Sequence, residues 1–300
     1  MKFALLRLHL TVFLWGFTGV LGRLINLNEG LLVWWRLAIT VVSLWVLFAA
    51  TGKVRKIALR DFIKIASIGT LLSLHWLCFY GSIKYSNVSI ALTCLATSGL
   101  FSALMEPLFF RKRINLLELV LGMFALAGIA IIYFSNLVFS AGIYIGLLAS
   151  LLTVLVSVLN KKIVDGYEPQ SITLYQLTGG FIGLSLLMPL YNHLFPAPSL
   201  MPQHWDWLWL VILSWACTIL TFILYISTLK KLSAFTMNLT LTLEPVYGII
   251  LAFVVYQENK SLSPNFYIGF ALILVAVALQ MFRLMGLGKK LKQRVVVSRQ

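Results

Sequence analysis

Glu244 has the most chemical potential of any residue in this 300-residue chain, because it stands near the middle of a long apolar run with no basic residue within two turns. An unpaired charge at mid-bilayer costs roughly 2.5 to 3.5 kcal/mol on insertion scales, so a carboxyl kept there is expected to hold a proton or the ammonium of a ligand. Thr236, Thr240, Glu244 and Tyr247 recur at a spacing of about four and so share one helical face. Ser89, Thr93 and Thr97 draw a matching hydroxyl stripe in an earlier run. Pro245 lacks the backbone donor that would bond the Leu241 carbonyl, which leaves an acceptor free or permits a bend. Each hydroxyl also has a plain structural use, bonding back along its own helix, and both readings stand.

Other polar and aromatic groups are candidates for the walls of the same site. Trp15 and Thr18 lie on one face of the first apolar run, and His75, Trp76 and Phe79 cluster on the third. Trp215, Thr218, Phe222 and Tyr225 share a face of the eighth, where packing alone would explain them equally well. His75 offers proton handling or an interhelical hydrogen bond. Arg36 offers an anion anchor, against snorkelling or an internal ion pair. Glu106 stands about one turn from Arg111, Lys112 and Arg113, which predicts an interfacial ion pair. Catalysis finds little support: there is no Gly-rich phosphate loop, no His-Glu-x-x-His, no Gly-x-Ser-x-Gly and no paired acids on a helix. Only His9 and His75 could act as bases within the apolar runs. Cys78, Cys94 and Cys217 follow no metal-ligand or disulfide spacing, so neither metal nor cofactor is expected.

The elements that hold these residues are membrane spans. Hydrophobic residues make up 60% of the chain and charged residues only 11%, with a mean hydropathy of +0.94. A span needs roughly 20 mostly apolar residues. Such runs lie near 3–22, 31–50, 62–81, 86–110, 115–134, 140–159, 170–190, 206–228, 233–256 and 264–284. They lack barrel alternation and must be helices, because lipid satisfies no backbone hydrogen bond. The expected fold is all-α and polytopic, with ten transmembrane helices. Lys2 and Arg7 before an apolar run resemble a secretion signal, yet no small-residue cleavage site precedes Asn26, so this span is expected to be retained.

The net charge of +15 does not point to nucleic acid, because the basic residues sort by loop. With the N-terminus inside, 19 of the 24 Lys and Arg fall on the cytoplasmic side, and only Arg23, Lys84 and Lys260 fall outside. The positive-inside rule then places both termini in the cytoplasm, as for a multi-pass protein of the inner, or plasma, membrane. The basic tail, 286–300, serves as a topology anchor or touches anionic lipid.

The chain also repeats itself. A shift of 147 lays residues 84–93 over 231–240, with Lys84, Ser86, Leu92 and Thr93 matching Lys231, Ser233, Leu239 and Thr240, and with Ser89 opposite Thr236. The same shift carries Leu104 onto Leu251 and Gly122 onto Gly269. Repeats of about five spans each, 1–136 and 137–285, enter the membrane from opposite sides, an arrangement that builds two alternately opening faces around one midplane site.

At these residues the chain resembles the drug/metabolite transporter superfamily, in particular its EamA-type ten-helix members. The resemblance rests on Trp15, Gly16 and Phe17, on Arg36, on Lys84, Tyr85 and Ser86, and on Leu243, Glu244, Pro245 and Val246 followed by Glu258. It implies two inverted five-helix halves around a cavity lined mainly by spans 1, 3, 4, 6, 8 and 9. It also implies a secondary-active exporter or exchanger of a small polar or amphipathic metabolite, amino-acid-like, with proton coupling possible. A flippase of a lipid-linked substrate and an exchanger of organophosphates or nucleotide sugars are the alternatives the same fold could host. One departure is visible: Ser98 stands where the shift puts Pro245, and Arg111 stands opposite Glu258. The first half is therefore expected to be less kinked and to lack that loop carboxylate. The sequence leaves the oligomeric state open.

Overall fold

In the computed structural model, the described residues are 2–111, 113, 115–135, 137–229, 240–241 and 243–297. The chain runs through α1 (Lys2–Leu24), α2 (Glu29–Ala50), α3 (Leu59–Tyr85), α4 (Val88–Leu95), α5 (Ser98–Phe110) and α6 (Leu116–Ser135). The second half follows with α7 (Ser140–Ile163), α8 (Pro169–Leu194), α9 (Asp206–Ser214), a π-helical turn (Trp215–Leu220), α10 (Thr221–Leu229), α11 (Glu244–Tyr256) and α12 (Pro264–Val297). Among the described residues, eight segments are long and apolar enough to cross a bilayer, and Glu244–Tyr256 and Pro264–Leu279 form two shorter apolar helices. Among the described residues there is no strand.

Small residues set the helix spacing, as membrane packing requires where no hydrophobic drive separates helix from lipid. A Cβ on Gly69 of α3 would lie 1.7 Å from the Gln176 carbonyl oxygen of α8, so the two backbones touch. Gly128 of α6 and Gly269 of α12 face each other in the same way, with Ile273 and Ile132 each packed over the opposite glycine. Gly16 of α1 meets Gly248 of α11, and a Cβ on Gly22 would lie 2.2 Å from the Tyr80 ring. Through these contacts α1 packs against α3 and α11, and it packs against α10 as well, which sets it in the interior.

The repeat is visible as a break in spans 4 and 9. Span 4 stops at Leu95 and resumes at Ser98, while Leu243 is a turn before α11. The Thr97 N–H bonds the Cys94 carbonyl and the Leu243 N–H bonds the Thr240 carbonyl, each at 3.1 Å. Helices of 13 residues follow in both halves, and both end in a left-handed residue, Arg111 (φ 51°) and Gln257 (φ 52°). The structural offset here is 146, one less than the 147 of the sequence shift, so the fold sets Ser98 opposite Glu244.

Two expectations change at this break. Span 4 is broken without a proline: the Thr97 hydroxyl donates to the Cys94 carbonyl at 2.6 Å and Ser150 donates to the Leu95 carbonyl at 3.4 Å, so side chains compete for the helix acceptors. Pro245 falls in the first turn of α11, where a missing N–H costs nothing. The Glu106 partner also differs. It is Lys161 of α7, at 3.5 Å, because the left-handed Arg111 turns the chain at the end of α5.

Gly69→Ala should force α3 from α8 and lower stability by about 1 to 3 kcal/mol, read as a fall in melting temperature in detergent. Gly166→Ala, where a Cβ meets nothing within 4 Å, should leave it unchanged.

Candidate functional site

The interior polar centre is built on Tyr80, which α3 presses flat against Gly22 of α1. Its ring is fully buried, and its hydroxyl accepts from Arg36 Nη1 at 2.9 Å. Thr18 lies beside that hydroxyl, and Tyr80 is within Coulombic reach of both Arg36 and Glu244. Arg36 itself is 2% exposed. Its Nε donates to Thr218 Oγ1 at 2.9 Å, and its guanidinium stacks 3.9 Å above the Trp76 ring. It neither snorkels nor joins an ion pair with any described acid, so both structural expectations for it are replaced by two hydroxyls and an indole face.

Glu244 opens α11, where its backbone carbonyl abuts Gly16. The carboxyl makes no hydrogen bond or ion pair with a described residue. Protein atoms surround the side chain closely, and it is half-buried. Trp15 of α1 donates to Thr221 at 3.0 Å and packs on Tyr225 and Phe222, their ring centroids 5.2 and 6.3 Å away. Tyr247 meets Phe13 edge to face and shares with Tyr225 a small cluster on Leu8 and Val12. Thr240 is buried just ahead of the break. The structure therefore gathers Trp15, Trp76, Tyr225, Glu244 and Tyr247 around α1, with Thr240 at the break; Thr236 lies outside the described residues.

The remaining candidates go elsewhere. Ser89 is fully buried in a cap: its hydroxyl donates to Glu258 at 2.5 Å, and the Val88 and Ser89 N–H groups donate to the same carboxylate at 3.1 and 2.8 Å. That carboxylate sits at the positive end of α4 and pairs with Arg23, joining the two halves at one end of the bundle. Thr93 donates back to the Ser89 carbonyl at 2.7 Å, and Thr97 faces Ser150 of α7 at 3.3 Å. The hydroxyl stripe of span 4 thus serves its own helix and its neighbours. His75 Nδ1–H donates to the Ala149 carbonyl at 2.8 Å, tying α3 to α7. Trp215 is 56% exposed and donates to Ser43. The π turn explains it, because one wide turn breaks the 3.6-residue register that would have kept Trp215 on the face of Phe222.

Tyr80 was missed by the sequence reading. The available signal was its position one turn beyond Trp76, on the same face of α3.

A polytopic helical protein made of two like halves, with a charged centre between apolar walls, defines a class of membrane transport protein. The chain belongs to the EamA-like transporter family, which matches residues 2–134 and again 140–282, once in each half. It is 24% identical over 291 residues to a Bacillus subtilis (strain 168) protein named Uncharacterized transporter YxxF, spanning 94% of this chain and 91% of that one. A protein of known crystal structure shares the fold with a TM-score of 0.63 at 17% identity, over 92% of this chain and 96% of that one. The protein is a multi-pass membrane transporter of small molecules.

Glu258→Ala should strand the Val88 and Ser89 N–H groups and release Arg23. The expected loss is about 1 to 3 kcal/mol, seen as a lower melting temperature, with Glu258→Gln recovering part of it through its amide oxygen.

Proposed function

We propose that this protein is a secondary-active transporter that exports or exchanges a small polar or amphipathic, amino-acid-like metabolite by alternating access. It sits in the inner membrane with both termini cytoplasmic. Glu244 is the working carboxyl: it holds a proton in one state and the ligand's ammonium in another. Exchange of the two couples proton movement to transport, provided each state favours a different opening of the halves. Trp15, Tyr225 and Tyr247 pack on the apolar body of the ligand, and Thr240 lends a polar group at the break.

The observation that carries this reading is the carboxyl of Glu244 at the start of α11, largely covered by protein and without a described partner. A structural acid would have been given a partner, as Glu258 and Glu106 are. The break in both repeat-related spans supports it too, since discontinuous helices at a repeat interface are where transporters bind ligands.

In proteoliposomes Glu244→Gln should insert and melt like the wild type, because the amide keeps size and reach, but lose transport or its pH dependence. Transport at the normal rate with the same pH profile would make Glu244 a packing residue.

A further inference from the structure

Arg36 is a buried cation with no described acid to answer it, and its neighbours hold it in one orientation. Two neutral hydroxyls, Thr218 and Tyr80, accept from Nε and Nη1. No described residue accepts from Nη2, so one edge of the guanidinium fork is left for a further acceptor. Trp76 lies under the guanidinium at 3.9 Å and adds a cation–π contact that holds the fork in place.

The neighbouring helix is shaped around this residue. Ser214 donates to the Arg36 carbonyl at 3.0 Å, and Thr218, which accepts from Nε, donates to the Leu213 carbonyl five residues back at 2.8 Å. The π turn at Trp215–Leu220 is thereby tied to Arg36 at its start, through Ser214, and within it, through Thr218, and irregular turns of this kind concentrate at working sites. Tyr80 in turn packs against Gly22 of α1, the helix whose Gly16 meets the Glu244 backbone.

From this geometry we infer that Arg36 is an anion-binding subsite whose guanidinium takes the carboxylate of the transported ligand while the ligand's amine end faces Glu244. The inference rests on the transport reading given above. It supplies what that reading lacks, a residue that selects for an acid group. A planar fork with free N–H donors suits a carboxylate held through paired hydrogen bonds, which a lysine would not reproduce. The ligand class is therefore a zwitterion, and α- and ω-amino acids both belong among the candidates.

The test is a thermal-shift titration of purified full-length protein. The probes are amino acids with α- or ω-amines, their amides, their des-amino acids, and inorganic phosphate. At least one zwitterion should raise the melting temperature of the wild type more than its amide or des-amino analogue does. Arg36→Lys keeps the charge and loses the fork. It should weaken the zwitterion roughly tenfold or more and leave the response to the amide unchanged. Thr218→Val, which removes the acceptor that aims Nε, should weaken the same probes in the same order and provides the reading should Arg36→Lys fail to fold.

An amide that binds as tightly as its acid, or a zwitterion affinity unchanged in both variants, would overturn the anion subsite while leaving Glu244 as an amine site. Phosphate or a des-amino acid binding as tightly as the zwitterion, and lost in Arg36→Lys, would uphold the subsite and overturn the amine reading of Glu244. No shift with any probe would overturn the assignment of a carboxylate-bearing ligand.

Discussion

An ionisable group inside an apolar bundle has to be answered by something, and this protein is organised around two that no described residue of opposite charge pairs with. Arg36 and Glu244 both lie among helices that lipid surrounds, where each costs several kcal/mol unless a partner is supplied. The protein meets part of the cost at Arg36 with hydroxyls and an indole face and leaves Glu244 without a described partner. A fold selected for stability alone would have replaced both with apolar residues. Keeping them is intelligible if a ligand or a proton completes the electrostatics during the cycle.

Close backbone contact is what makes such a centre possible. Gly22 lets Tyr80 lie flat on α1, and Gly16 and Gly248 bring α11 against the same helix. Larger residues at these places would part the helices and dissolve the geometry around Tyr80. The Glu258 cap serves the opposite need: with Arg23, Val88 and Ser89 it fastens one half to the other at one end of the bundle. The two halves are therefore alike in their breaks but not in their chemistry, for the acid at the break stands in the second half only, opposite Ser98.

The spans, the repeat and the isolation of Glu244 could be read directly, because apolar length, sequence self-similarity and a lone acid are one-dimensional signals. The side-chain assignments were harder. Ser89, Thr93 and Thr97 follow a perfect stripe, yet the carbonyls and the carboxylate that take their hydrogens are invisible in a linear pattern. Trp215 left the expected face because a π turn shifts register without any residue type that marks it. Arg36 could be noticed but not placed, since its partners Tyr80 and Thr218 lie 44 and 182 residues away along the chain.

The most direct test of the central claim, that interior charge is held for function and not for the fold, is the thermal stability of Glu244→Met beside its transport activity. Removing an unpaired acid from an apolar interior and filling its volume with a thioether should leave the melting temperature equal to or above that of the wild type while transport stops. A melting temperature several degrees below the wild type would show that Glu244 supports the fold, and would contradict the account.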